Sequence, residues 1–379
     1  MRRVQRKCYL DNASTTPLHP QIYETYVRML KDQFYNCDAL YDDAQAIARN
    51  MEKSRKATAD LLHVHPEEVF FTSGASEANS ALIKGIALSC GSKKHIITSS
   101  VEHSSVVHTV EQLRDEFGYE VTFLKSDVNG SIDLSELKSA LRPDTCLVAL
   151  MMVNNETGAI FPIKEAGQII QKNSQAYFHV DGVQALGKLP LDFTHVDSMS
   201  LSAHKVEGLL GAGLMIKKKH VPMLPLINGG QQEQGLRGGT SNALVNTMWA
   251  KTIRLCLDNE AKYGQQLKQL HDYTIEQLKS IEGITINSPE NSVPNIINFS
   301  YPAIPSEVMM NALNGEGIMV SAQSTCSSHS KLVSRVLDAM GLPEDVCHSC
   351  IRISISYHTQ KDDIDYFINK LKEIIAHYG

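Results

Sequence analysis

The chain has 379 residues, room for two domains of ordinary size around a sizeable core, with 42% hydrophobic and 21% charged residues. A net charge of −6 over that length argues against a nucleic-acid or anionic-membrane partner. The basic start at Arg2 to Lys7 runs into no apolar signal region, and no stretch approaches the length of a membrane span. Eight irregularly spaced cysteines read as free thiols in a reducing compartment, so the expected location is the cytoplasm. Cys347 and Cys350 form a lone CxxC, read as incidental.

In chain order, residues 9–17 are a short apolar start that runs into turn and hydroxyl residues, and a helix is expected from Pro20. Over 42–62, Ile47, Met51, Thr58, Leu61 and Leu62 recur at helical spacing, which predicts a core-facing helix. Val69 to Phe71 reads as a strand, and the following Thr-Ser-Gly-Ala-Ser-Glu-Ala-Asn opens a helix. A strand, a small-residue turn and a helix N-terminus make an anion site, with the hydroxyl of Ser76 added. Capping accounts for Ser73 or Ser76 equally well.

Strands at 95–101, 121–124 and 146–153 follow, the first ending at Glu102-His103 and the last at Asn154-Asn155-Glu156. Strands alternating with helices predict a mainly parallel sheet. Ligands sit at the carboxyl ends of the strands in such a sheet. Two further apolar runs end in polar residues: 177–180 delivers Asp181 and Gln184, and 199–201 delivers Ser202, His204 and Lys205. Each of these alone reads as a turn residue, a solvated lysine or a loop histidine. Together they offer what pyridoxal phosphate (PLP) requires: an amine for its aldehyde, an acid that keeps the pyridine nitrogen protonated, and donors for its phosphate.

The glycines of 208–213 match neither nucleotide-loop pattern and serve to turn the chain tightly after Lys205. The polar, glycine-rich segment 227–242 is expected to be a mobile or partner-facing loop and not a core element. From Trp249 onward long amphipathic helices dominate, one striped by Leu267, Leu270, Thr274, Leu278 and Ile281, the last by Ile364, Phe367, Ile368, Leu371, Ile374 and Ile375. Strands at 295–300 and 351–355 lie between them. Alternation in the second puts Arg352 and Ser354 on the face opposite the isoleucines. These elements make a second, smaller α+β domain. Cys326, on a small polar stretch at 321–330, is a candidate nucleophile, with an incidental thiol as the alternative.

The chain resembles the cysteine desulfurases, class V aminotransferase relatives among the fold-type-I PLP enzymes, over essentially its whole length. The resemblance rests on YLDNASTT, FTSGASEAN, VEH, VNNETG, HVDGVQ, SLSAHK, RGGT, the loop at Cys326 and IRIS, in this order and spacing. It implies an α/β fold: a large PLP-binding domain over 15–250, with a mainly parallel seven-stranded sheet flanked by helices. A small α+β domain would follow from 1–14 and 251–379, carrying the Cys326 loop and Arg352. Lys205 would hold PLP covalently and move the substrate Cα proton. Asp181 would pair with the ring nitrogen and Gln184 with the ring oxygen, helped by Asn155. His103 would stack on the ring and move the thiol proton. Ala75 (through its backbone), Ser76, Ser202 and His204 would bind the phosphate. Thr240 would reach the phosphate of a neighbouring subunit, which implies a homodimer.

Arg352, with Asn155, would hold the carboxylate of the substrate L-cysteine, a task suited to a bidentate fork. Cys326 would accept the sulfur as a persulfide, leaving alanine, for a sulfur-acceptor protein in iron–sulfur cluster or thio-modification pathways. No metal is implied. The other readings are a PLP-dependent aminotransferase or selenocysteine lyase, and a non-catalytic scaffold for sulfur-carrier proteins. The chain departs from the family pattern at Gln323, at Ser356-Tyr357, and at 36–41, where Asn-Cys-Asp-Ala-Leu-Tyr leaves no histidine.

Overall fold

A computed structural model describes residues 6–322 and 333–379. Twelve strands are present among them: β1 (Cys8–Tyr9), β2 (Val69–Thr72), β3 (His95–Ser99), β4 (Glu120–Leu124), β5 (Thr145–Met151), β6 (Tyr177–Asp181), β7 (Ser198–Ser202), β8 (Gly213–Lys217), β9 (Thr285–Ile286), β10 (Ile296–Ser300), β11 (Ile318–Met319) and β12 (Cys350–Ser354). The main sheet has seven strands in the order β2-β8-β7-β6-β5-β3-β4. β8 runs antiparallel to both of its neighbours, and every other pairing is parallel.

This sheet is covered on both faces, and the period-2 alternation of its strands sorts side chains between the two layers. Phe71, Ile97, Val148, Leu150, Leu214 and Ile216 pack on one side with Ile47, Met51, Ile170 and Trp249. Phe70, Ile96, Leu147, Ala149 and Met215 face the other, against Leu82, Ile86, Val106 and Val110. Four helices flank the early strands: α1 (Pro20–Leu30), α2 (Asp42–Leu62), α3 (Ala75–Ser89) and α4 (Ser104–Phe117). α3 and α4 carry the second layer and contact each other closely.

A three-stranded antiparallel sheet, β12-β10-β9, and the short parallel pair β1-β11 surround a separate core. Ile351 and Ile353 of β12 point into it, beside Phe299, Phe367 and Leu371. Arg352 and Ser354 are turned away as the alternation predicts, yet they are buried too, at 2% and 1% exposure, because the segment after β1 lies over them. The helix Trp249–Lys279 joins the two cores: Trp249 and Ile253 pack under the large sheet, Leu267 and Leu278 in the small one.

The segment 227–242, expected to be a mobile or partner-facing loop, is anchored through one buried side chain. Glu233 is buried at 7% exposure, with φ at +48°, and Arg55 of α2 grips it through both guanidinium ends at 2.7 and 2.9 Å. The same carboxylate accepts from the Phe71 amide at 2.9 Å. Glycine spacing and polarity hide a buried ion pair whose partner lies far away in the sequence.

Candidate active site

β3, β5, β6 and β7 all end along one edge of the large sheet, where an open α/β sheet exposes its crevice. Asp181 closes β6 and Ser202 closes β7, and the 3-10 turn Ala203–Lys205 lifts Lys205 off the sheet edge. Gly208 and Gly211 serve this turn: a Cβ at 208 would meet Ala203 at 2.7 Å, and Gly211 has φ of +75°. From the opposite side come the N-terminus of α3 at Ala75, the N-cap of α4 at His103, and the buried Arg352 of β12. Together they enclose a cavity of about 470 Å³, within the usual range for a cofactor or small ligand.

The cavity is lined by Ala75, Ser76, His103, Asn155, Asp181, Gln184, Ser202, His204, Lys205 and Arg352. Ten of the residues singled out in the sequence are therefore brought together. Thr240 is exposed and outside this lining, and Cys326 lies outside the described residues. The chain that leads toward Cys326 starts beside the cavity, since Ser321 and Arg352 exchange both backbone hydrogen bonds, at 3.1 and 2.6 Å.

Geometry and donor count favour a bound PLP. Lys205 Nζ donates to the carbonyls of Ala13 at 2.7 Å and Ser14 at 2.6 Å. Asp181 is buried at 6% exposure and accepts from Asn79 Nδ2 at 2.8 Å and from the Val183 amide at 3.0 Å. The N-terminus of α3 turns backbone N–H groups toward the lining beside the Ser76 hydroxyl, and burial together with the Lys205 charge holds His204 down to about 4, as a neutral imidazole. Arg352 donates to Asn155 O, Asp11 Oδ1 and Ser14 Oγ at 2.7–2.9 Å, while its Nε is buried without a partner among the described residues. The Arg352 guanidinium stands in the cavity wall, and its positive charge there favours an anion.

Sequence reasoning missed the residues behind this wall. Asn79, 1% exposed, uses its full hydrogen-bonding capacity. Its amide hydrogens go to Asp181 and Ser105, and its oxygen accepts from Ser200 and from His179 Nε2. Burial holds His179 down to about 4, so it is neutral. His103 Nδ1 accepts from the Ser105 backbone amide at 3.1 Å, which fixes the proton of the neutral ring on Nε2. Asn79 sits inside the quoted motif FTSGASEAN, the one signal that could have marked it. Asp11 likewise sits inside the quoted motif YLDNASTT, but its partner Arg352 is 341 residues away.

A largely parallel, doubly covered sheet with an amine, an acid and an anion-binding helix terminus at its carboxyl edge defines a fold-type-I PLP enzyme. A family model described as aminotransferase class-V matches residues 8–367, and the chain belongs to that family. "Cysteine desulfurase IscS" of Dictyoglomus turgidum is 38% identical over 98% of this chain and 95% of its own. A solved structure described as "NIFS-LIKE PROTEIN" superposes with a TM-score of 0.93 at 33% identity, over 98% of this chain and all of the other. Another, "SspA in complex with cysteine", gives 0.81 at 30% identity over 93% of this chain and all of that one.

Proposed function

We propose that this protein is an L-cysteine desulfurase, in which the Cβ–S bond of L-cysteine breaks, a sulfur–sulfur bond forms on the thiolate of Cys326, and the carbon skeleton leaves as L-alanine. The balance is closed: Cβ gains a proton and two electrons, and the sulfur pair formed with Cys326 is oxidised to the same extent. The observation that carries this reading is the shared anchorage of Lys205 and Arg352. The amine and the guanidinium both donate to Ser14, through its carbonyl and its hydroxyl, so an amine site and a carboxylate site face one cavity. That pairing suits an α-amino acid. A relative described in complex with cysteine supports the choice of amino acid.

PLP, when bound, supplies the electron sink. Lys205 holds the cofactor and moves the Cα proton. Asp181, steadied by Asn79, keeps the ring nitrogen protonated, and Gln184 with Asn155 donates toward the ring oxygen. Ser76, the Ala75 backbone, Ser202 and His204 hold the phosphate. His103 covers the ring face and carries the thiol proton from Nε2, a positioned acid or base of the kind that contributes roughly 10²–10⁴-fold. Arg352 and Asn155 take the substrate carboxylate.

Thr240 faces outward and completes the phosphate site of a second subunit in a homodimer. The same partner would cover Leu210, which lines the cavity at 73% exposure. The persulfide then passes to a sulfur-acceptor protein. Free thiols at every described cysteine support a reducing, cytoplasmic setting. The second core supports a small unit within 1–14 and 251–379, although Ile253, Val336, Leu337, Met340 and Cys347 pack with the large sheet.

The test is stoichiometric. Purified protein with L-cysteine and a reductant should yield sulfide and alanine in equal amounts. Cys326→Ser should keep the yellow cofactor absorbance and lose sulfide release, and an unchanged sulfide rate in that variant would refute the mechanism. Lys205→Ala should no longer retain PLP after borohydride treatment.

A further inference from the structure

One turn beyond β6, two side chains four residues apart meet. The turn is closed by the Ala185 amide on Gly182 O and the Lys188 amide on Ala185 O, both at 2.9 Å. Lys188 Nζ donates to Gln184 Oε1 at 3.0 Å, and Gln184 Nε2 donates to Ala13 O at 2.9 Å. That carbonyl is also the one that accepts from Lys205 Nζ at 2.7 Å. Two lysines are thus joined through one amide and one carbonyl.

An ammonium can donate and cannot accept, whereas a glutamine amide can present either end. Lys188 and the Ala13 carbonyl therefore select the same end to face the cavity. With the oxygen drawn to Lys188, the Nε2 group is turned toward Ala13 and the cofactor space. Were the amide reversed, its oxygen would meet the Ala13 carbonyl and its NH2 would meet the ammonium, two repulsive contacts in place of two bonds.

We propose that Lys188 is a positioning residue for the cofactor: it orients the Gln184 amide so that Gln184 donates to the ring oxygen of PLP. This rests on the PLP reading of the site given above. Lys188 shares a small cavity of about 40 Å³ with Lys205, Glu207, Cys256 and Tyr357. The residue as a whole is partly exposed, but its ammonium packs inward beside Cys256, and burial draws it down to about 8. It is still charged at neutral pH. The Cys256 thiol is pushed up to about 12 by burial and stays neutral, so it does not compete as a counter-charge.

The experiment reads the visible absorbance of the holoenzyme against pH. A donor on the ring oxygen draws off negative charge and lowers the pH at which the chromophore loses its proton. In K188M that midpoint should rise by about one pH unit, the size of one hydrogen bond to a charged group. K188Q, whose amide can still donate to Gln184, should move it less. Q184L removes the donor without adding a charge, so adding K188M or K188Q to it should produce no further rise.

Melting of the cofactor-free variants reports their folding separately, and the K188Q series carries the same comparison if K188M does not fold. Midpoints in K188M and K188Q equal to wild type would overturn the proposal, as would a K188M/Q184L shift equal to the sum of the two. A wild-type protein without any visible cofactor band would overturn the PLP reading itself, and this proposal with it, before any substitution is made.

Discussion

Asn79 is the single side chain on which most of the buried polar wall depends. Truncating it leaves Asp181, Ser105, Ser200 and His179 each short of a partner. A buried group left unsatisfied costs about 1–3 kcal/mol, so Asn79→Ala should lose ~3 kcal/mol or more in a denaturation experiment. PLP affinity should fall about tenfold, since Asp181 is no longer held. Asn79→Ala with wild-type stability and affinity would show that Asp181 needs no such support.

Glu102 makes a second claim at this scale. Its Oε1 accepts from Ser99 Oγ at 2.6 Å and from the Met151 amide at 2.9 Å, and its Oε2 is buried without a partner among the described residues. Burial pushes its carboxyl up to about 8, whereas an unfolded glutamate titrates near ~4.3. The folded chain binds this proton more tightly. Its contribution is therefore complete below the lower value and is lost as pH rises through the higher one. Glu102→Gln should flatten the fall in melting temperature over that window, and an equally steep fall in the variant would refute the assignment.

At the scale of elements, the strand ends were legible and their supports were not. Apolar runs bounded by polar residues located β5, β6 and β7 to within two residues, and the helix expected over 42–62 was found at Asp42–Leu62. Asp181, Ser202, His204 and Lys205 could be read because each follows directly from the strand that delivers it. The roles of Asp11, Asn79 and Glu233 could not, although quoted motifs contain the first two, because each acquires its meaning from a partner 341, 102 or 178 residues away. The segment 227–242 shows the cost of that blindness: composition alone made it a loose loop, and one buried carboxylate makes it an anchored one. Breaking a buried pair of this kind costs about 3–5 kcal/mol. Glu233→Ala should lower stability by that order and open the segment to limited proteolysis, with cleavage sites mapped between 227 and 242.

At the scale of the whole molecule, the outward-facing Thr240 separates a self-sufficient subunit from one that completes its neighbour. Thr240→Ala should weaken PLP retention. Mixing it with Lys205→Ala protomers should restore one working site in each mixed dimer, the one that keeps Lys205 and borrows Thr240. A mixture no more active than its components would rule out the shared site. Arg352→Ala should bind PLP normally and raise the KM for L-cysteine.

The segment between β1 and α1 carries a consequence for biosynthesis. Asp11, Asn12 and Ala13 bond to Arg352 and Ser354, and Ala13 also holds Gln184 and Lys205. Asp11 is thus closed over by a residue 341 positions later in the chain. The growing chain can assemble its large sheet early, but the pocket gains its floor only when β12 arrives. A chain stalled before residue 350 should therefore retain less PLP than one that includes β12, with the edge of its sheet open to chaperones.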